Sequence, residues 1–331
     1  MRFAWAFDHN VPPAVENQIM QIAEAQGVEA IFTMEHHHLR DGVTTATAVA
    51  VQTKKIQVVM GVLSPFFRHP IEIGITAANL QRISGGRSGL NLGVGMPETL
   101  RRIGIPFEKP LTYMRETIDI LKLLFAGERF AYSGDVFEIE KHHLSGDKVA
   151  MPPIYISAMG PKLLELAGEM ADGVNLPLAS SPEYIAEAVG HVEQGLAKAG
   201  RSRDEMTIVA EVLVEVGDGS DWSGVRRLLS FHFSSDYFKK VVAPSGVDVD
   251  FDTIRAAFIR RDFEEIEGLV TDEHIRTFAA VGAPASILAR LQDYLDAGAD
   301  VINLYTAGEA DARLNTINGI LAQAHETQMA G

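Results

Sequence analysis

The chain has no cysteine among its 331 residues. That excludes disulfides, a thiolate nucleophile and any cysteine-ligated metal. Positive charge is also scarce, with 29 Lys and Arg against 44 Asp and Glu, a net charge of −15. Nucleic-acid affinity rests on neutralising phosphates, so so acidic a chain is not expected to bind nucleic acid. A local basic pocket for a single phosphate stays open. No run of about 18 apolar residues occurs, which removes the expectation of a membrane-spanning helix. The opening MRFAWAFDHN lacks a positive n-region leading into an apolar h-region. There is no internal repeat and no low-complexity segment. The expectation is a soluble, cytoplasmic protein.

What is present is ample apolar material, 47% of the residues, with a charged fraction of 22% that is ordinary for a globular protein. Its arrangement alternates. Strands are predicted at Phe3–Phe7, Ala30–Met34, Ile56–Leu63, Leu90–Gly95, Pro153–Ala158, Gly173–Leu178, Thr207–Val216 and Val301–Tyr305. Ile56–Leu63 reads IQVVMGVL, a nearly unbroken apolar run. A strand buried on both faces of a parallel sheet has this composition.

Helical spacing lies between the strands. A helix opened by Pro12 and Pro13 ends at Gly27, and others are predicted at Ala46–Gln52, Ile71–Ile83, Gly160–Met170, Ala285–Ala297 and Asp311–Thr327. Leu111, Met114, Ile118, Leu121 and Phe125 share one face of a further helix. Ser181-Pro182-Glu183 opens another, with an N-cap serine, a proline and an acid at the positive helix end.

Strand and helix alternate about eight times without a linker. This predicts a single α/β domain over 1–331, a (β/α)8 TIM barrel with insertions. One insertion is a hairpin at 130–140 around Ser133-Gly134-Asp135. The other is a mostly helical segment at 221–277, broken at Ala243-Pro244-Ser245-Gly246, a candidate lid or dimer surface. A doubly wound sheet is the alternative, but no G-x-G-x-x-G opens a helix after the first strand.

The second predicted strand ends in Met34-Glu35-His36-His37-His38. Acid–base groups where a buried strand surfaces are what an active site at a barrel mouth requires. Imidazole titrates near neutral pH and can give or take a proton. The same cluster could instead be solvent-facing or capping; a metal site is a second alternative, although no second His/Asp cluster with ligand spacing accompanies it.

Further along, several stretches carry a resemblance when taken together and in order. They are MEHHH; GVLSPFFRHP with LQRISGGRSGLNLGVG; KPLTYMRETIDILKLLFAGERFAYSGDVF; PPIYISAMGPKLLELAGEMADGV; and LVTDEHIRTFAAVGAPASILARLQDYLDAGAD. The set resembles the luciferase-like superfamily of flavin and deazaflavin oxidoreductases, and within it the methylenetetrahydromethanopterin reductase-like branch. The resemblance covers nearly the whole chain. It implies a barrel with insertions, a homodimer and metal-free hydride transfer to or from a flavin-type ring.

The resemblance also assigns roles. His36 matches the strand-end proton-transfer histidine, while His37 and His38 could simply pack or face water. Glu35 could orient His36 or touch the ring. Glu98 matches a proposed acid of F420-dependent dehydrogenases, and is equally a glutamate favoured by a helix start. Gly61 and Val62 match a non-proline cis peptide that backs the ring, and Ser64 could bond the ring edge. Gly93 and Gly95 could let backbone approach a ligand or merely turn the chain.

Ser157-Ala158-Met159-Gly160-Pro161 matches the cofactor-phosphate turn, where a helix start supplies N–H groups. Lys162 could add charge there. Trp5, Phe66, Phe67 and Tyr305 could wall a substrate pocket or belong to the core.

The chain departs from the F420 branch at one point. That branch shows Asp-His-aromatic where Glu35-His36-His37 stands here, an order closer to FMN-dependent monooxygenases. F420 is therefore the first cofactor expected and FMN the second. The corresponding functions are F420-dependent oxidation or reduction of a small organic substrate, an FMN monooxygenase served by a separate flavin reductase, or a barrel that binds flavin without catalysis.

Overall fold

The computed structural model describes residues 1–7, 12–36, 40–219 and 221–330. Its strands in chain order are β1 (Phe3–Ala6), β2 (Ala30–Phe32), β3 (Gln57–Leu63), β4 (Ser88–Leu92), β5 (Phe130–Ser133), β6 (Glu138–His142), β7 (Ile154–Ser157), β8 (Gly173–Leu176), β9 (Thr207–Val216), β10 (Ala279–Gly282) and β11 (Val301–Thr306). Helices follow most of them. The succession is that of a (β/α)8 barrel with insertions, the class expected from the sequence.

The chain falls into two compact units, one of residues 30–175 and 191–206, the other of 1–29, 176–190 and 207–331. In the first, β2, β3, β4, β7 and β8 pair in parallel in that order. Ile31, Val58, Val59, Leu90, Leu92, Ile154 and Ile156 are buried along them, as strands covered on both faces require.

The helix Pro110–Ala126 buries Met114, Ile118, Leu121 and Phe125 on the predicted face and stops at Gly127. The expected hairpin is there, with β5 antiparallel to β6. Its turn is fastened from below by Glu116, whose carboxylate accepts N–H bonds from Asp135 at 2.6 Å, Val136 at 3.2 Å and Phe137 at 3.0 Å.

At the N-terminal end of β4, Arg87 gathers the loops beneath the strands. Its guanidinium donates to the carbonyls of Ala50, Thr53, Ile56 and Ser84 and to the hydroxyl of Thr53, at 2.6–3.0 Å. The loops that precede β3 and β4 are thereby closed on one cation.

In the second unit β10, β9, β11 and β1 pair in parallel. Trp5 and Tyr305 are buried core. The segment 221–277 is mostly helical, with short turns at Asp236–Phe238 and Ala243–Ser245. Strand β10 was not expected. Its AAVG is too short and too poor in branched residues to show a period. Among the described residues no helix is long and apolar enough to cross a membrane.

A candidate active site at four neighbouring strand ends

β2, β3, β4 and β7 run parallel and adjacent, so their C-terminal ends open on one edge. Barrels place their chemistry at that edge. The candidate catalytic and cofactor-binding residues of the sequence lie at or beyond the ends of these four strands. His36 lies beyond β2, Gly61, Val62 and Ser64 at the end of β3, Gly93, Gly95 and Glu98 beyond β4, and Ser157 to Pro161 at the end of β7.

His36 is half-buried. Its N–H donates to the Arg40 carbonyl at 2.9 Å, and the Arg40 N–H returns a bond to the His36 carbonyl at 3.0 Å. His37 and His38 lie outside the described residues. Glu35 is engaged elsewhere. Its side chain is only 6% exposed. It accepts from Arg68 Nε at 3.1 Å and from a terminal guanidinium nitrogen at 2.9 Å, and the Gly42 N–H adds a bond at 3.3 Å.

The same terminal nitrogen of Arg68 donates to Asp41 at 2.8 Å. Asp41 in turn caps the helix Gly42–Gln52 through the Thr44 N–H at 2.6 Å. Burial pushes the Asp41 carboxyl up, but bonds from Thr44 and Arg68 outweigh it and leave the group below the ordinary range. The cap explains why the helix starts at Gly42 and not at the expected Ala46.

The ends of β3 and β4 present backbone. The Gly61–Val62 peptide is cis. A Cβ on Gly61 would stand 2.3 Å from the Asn91 carbonyl oxygen, and one on Gly93 would stand 2.4 Å from Val62 Cγ1. A side chain is therefore sterically barred at both positions, where β3 and β4 approach each other closely. Ser64 is buried; its hydroxyl donates to the Val94 carbonyl at 3.3 Å and accepts from the Phe66 N–H at 3.3 Å. Gly95 takes a positive φ of 76° and faces that hydroxyl.

Glu98 stands in the first turn of the helix Pro97–Arg102. Its Oε2 is buried and has no hydrogen-bond partner among the described residues. That acceptor is left without a partner inside the packed protein. Phe66 belongs to an aromatic cluster, stacked on Tyr113 at 4.3 Å with Phe107 at 5.3 Å.

Beyond β7, Ser157 donates to Asn91 Oδ1 at 3.1 Å. Gly160 is the N-cap of the helix Pro161–Met170, and no side chain caps it. The start of this ten-residue helix thus keeps donor capacity for an anion. Exposed Lys162 sits in its first turn. Sequence reasoning missed Arg68, Asp41 and Asn91. Only Asp41 carried a readable signal, an Asp three residues before a Thr at a helix start.

Among the described residues no group of three or more His, Asp or Glu is arranged to hold a metal. A cavity of about 570 Å³ lies in the other unit, lined by Glu183, Ser245, Glu273, Arg276, Thr277 and Arg290. None of the candidate residues lines it.

One imidazole, two glycines that keep neighbouring strands close and an uncapped helix start lie at the ends of adjacent parallel strands. The luciferase-like monooxygenase profile matches residues 4–301, and the chain belongs to that family. It is 33% identical over 285 residues to the 5,10-methylenetetrahydromethanopterin reductase of Archaeoglobus fulgidus, covering 84% of this chain and 85% of that one. An F420-dependent glucose-6-phosphate dehydrogenase of Microbacterium testaceum is 31% identical over 208 residues, 58% of this chain and 61% of that one. The solved coenzyme F420-dependent tetrahydromethanopterin reductase of Methanopyrus kandleri superposes with a TM-score of 0.85 at 25% identity, covering 97% of this chain and 99% of that one. These findings agree with the expected oxidoreductase superfamily and its reductase-like branch.

Proposed function

We propose that this protein is an F420-dependent oxidoreductase that moves hydride to or from a small organic substrate. The observation that carries the reading is the convergence of His36, the Gly61/Gly93 pair and the Ser157–Pro161 turn on four adjacent strand ends. When bound, F420 supplies a deazaflavin ring able to take or give hydride.

The residues fit that group. Gly61 and Gly93 keep β3 and β4 closely packed where their ends would border the ring. Val62 and Ser64 border it. The helix start at Gly160, with Ser157, Ala158, Met159 and Pro161 around it, offers backbone N–H groups to a phosphate, and Lys162 adds charge. His36 holds or moves the substrate proton through its imidazole. The free Oε2 of Glu98 offers a second acceptor at the same edge. Methylenetetrahydromethanopterin, named for the Archaeoglobus relative, is the first substrate to test.

A second reading, an FMN-dependent monooxygenase fed by a flavin reductase, rests on the order Glu35-His36-His37. Separate fluorescence titrations with F420 and FMN, followed by oxygen uptake with reduced FMN, separate the two. We expect saturable F420 binding, no oxygen consumption, and a much reduced but measurable kcat in His36→Ala with F420 binding retained. FMN binding coupled to oxygen uptake would replace the first reading with the second. The proposal extends to a single barrel acting as a cytoplasmic homodimer, a state that sedimentation equilibrium checks.

A further inference from the structure

We infer that Arg68 is a positioning residue for His36, holding both flanks of the histidine's loop to the segment that leaves β3. The inference rests on the proton-handling role proposed for His36. Its basis is a two-sided clamp. Glu35 immediately precedes His36, and Asp41 immediately follows Arg40, the residue to which His36 is paired through both backbone bonds. One guanidinium binds both carboxylates, Glu35 in a two-point fork and Asp41 through the shared terminal nitrogen. A planar fork fixes direction as well as distance.

The other end of the clamp is equally fixed. The Arg68 N–H donates to the Ser64 carbonyl at 3.0 Å, as does that of Phe67. Ser64 is bonded to Val94 beyond β4. Arg68 therefore ties the imidazole's loop to the turn that borders Gly61 and Gly93 at the ends of β3 and β4. It sets where the imidazole stands relative to those strand ends. Glu35, which the sequence offered either as an orienter of His36 or as a group for the ring, serves in this arrangement as the grip on the loop.

The test compares wild type, Arg68→Lys, Arg68→Ala, His36→Ala and the Arg68→Ala/His36→Ala double variant. Displacement of a reacting group by about 1 Å can cost on the order of a hundredfold in rate. Arg68→Ala is therefore expected to lower kcat about a hundredfold and Arg68→Lys about tenfold, with KM and F420 affinity within about threefold of wild type. Because Arg68 acts through His36, Arg68→Ala should have no further effect in the His36→Ala background. Equal losses in both backgrounds, or an unchanged kcat, would overturn the inference.

A histidine-selective NMR titration of the ligand-free protein keeps the test independent of the cofactor. The His36 ring signal, assigned by its absence in His36→Ala, should broaden or move its midpoint in Arg68→Lys. An unchanged signal refutes the clamp. Failure of wild type to bind F420, with the NMR effect present, refutes the cofactor reading and leaves the clamp standing.

Discussion

Removing the carboxylate of Glu116 should open the hairpin turn while leaving the strands beneath it intact. Glu116 is 6% exposed and is bonded to three consecutive backbone N–H groups. Hydrogen bonds to a charged acceptor contribute about 1.5–3 kcal/mol each, and a buried donor left alone costs about 1–3 kcal/mol. The three are not equal. Asp135 is exposed, and its N–H can turn to water, whereas Phe137 is buried and packs edge-on to Tyr113 at 5.3 Å.

Counting one strong loss and two partial ones, Glu116→Ala should destabilise the turn locally by about 3 kcal/mol, or about a hundredfold in opening equilibrium. Hydrogen exchange followed by mass spectrometry reads this directly. Peptides spanning 133–138 should lose about two decades of protection, while those spanning β3 and β4 should not change. A Cβ on Gly134 would stand 2.3 Å from the Glu116 carboxylate, so Gly134→Ala should open the same peptides. The reasoning is refuted if the turn keeps its protection in Glu116→Ala, or if protection falls uniformly through β3 and β4.

Two other expectations concern charge and packing. Burial, then Asp221, push the carboxyl of Glu215 up to about 7 against the opposing pull of Arg313. Its folded value lies above its unfolded one, so the native state keeps this proton longer, and stability falls as pH rises from about 4.5 to about 7. Glu215→Gln should remove that slope and gain about 1 kcal/mol at pH 8, discounted for the partly solvated site, with no gain at pH 4; parallel urea curves for the two proteins at every pH would contradict it. Gly93→Ala drives a Cβ toward Val62 and should cost about 1–3 kcal/mol in urea unfolding, together with about tenfold weaker F420 binding; wild-type binding in that variant would remove Gly93 from the cofactor's site.

Much of the scaffold was legible because buried parallel strands leave unbroken apolar runs. Thr207–Val216 was bounded correctly at both ends, and Gln57–Leu63 within one residue. Elements without such contrast were not legible. Gly42–Gln52 is a run of Thr, Ala and Val with little periodicity, so its start was placed four residues late. Ala279–Gly282 offered four small or weakly apolar residues.

The candidate site divides in the same way. Positions such as Ser157–Pro161 were visible because strand, turn and helix start are local in sequence. Arg68 holds Glu35 across 33 residues and Asn91 meets Ser157 across 66, and no spacing rule reaches that far. The unpartnered Oε2 of Glu98 is likewise a property of the packed state alone.

Arg87 has a bearing on how such a chain can be altered in the laboratory. By collecting carbonyls from both loops at the foot of β3 and β4, it fixes the strands from the end opposite to His36, Gly93 and Glu98. The strand ends do not have to supply that closure themselves. Libraries that randomise the loops after β2, β3 and β4 to admit new substrates should keep folding so long as position 87 stays arginine and Asp41, Ser64, Gly93 and Gly95 are spared. Diversity at position 87 itself would leave the carbonyls of Ala50, Thr53 and Ile56 without their shared donor.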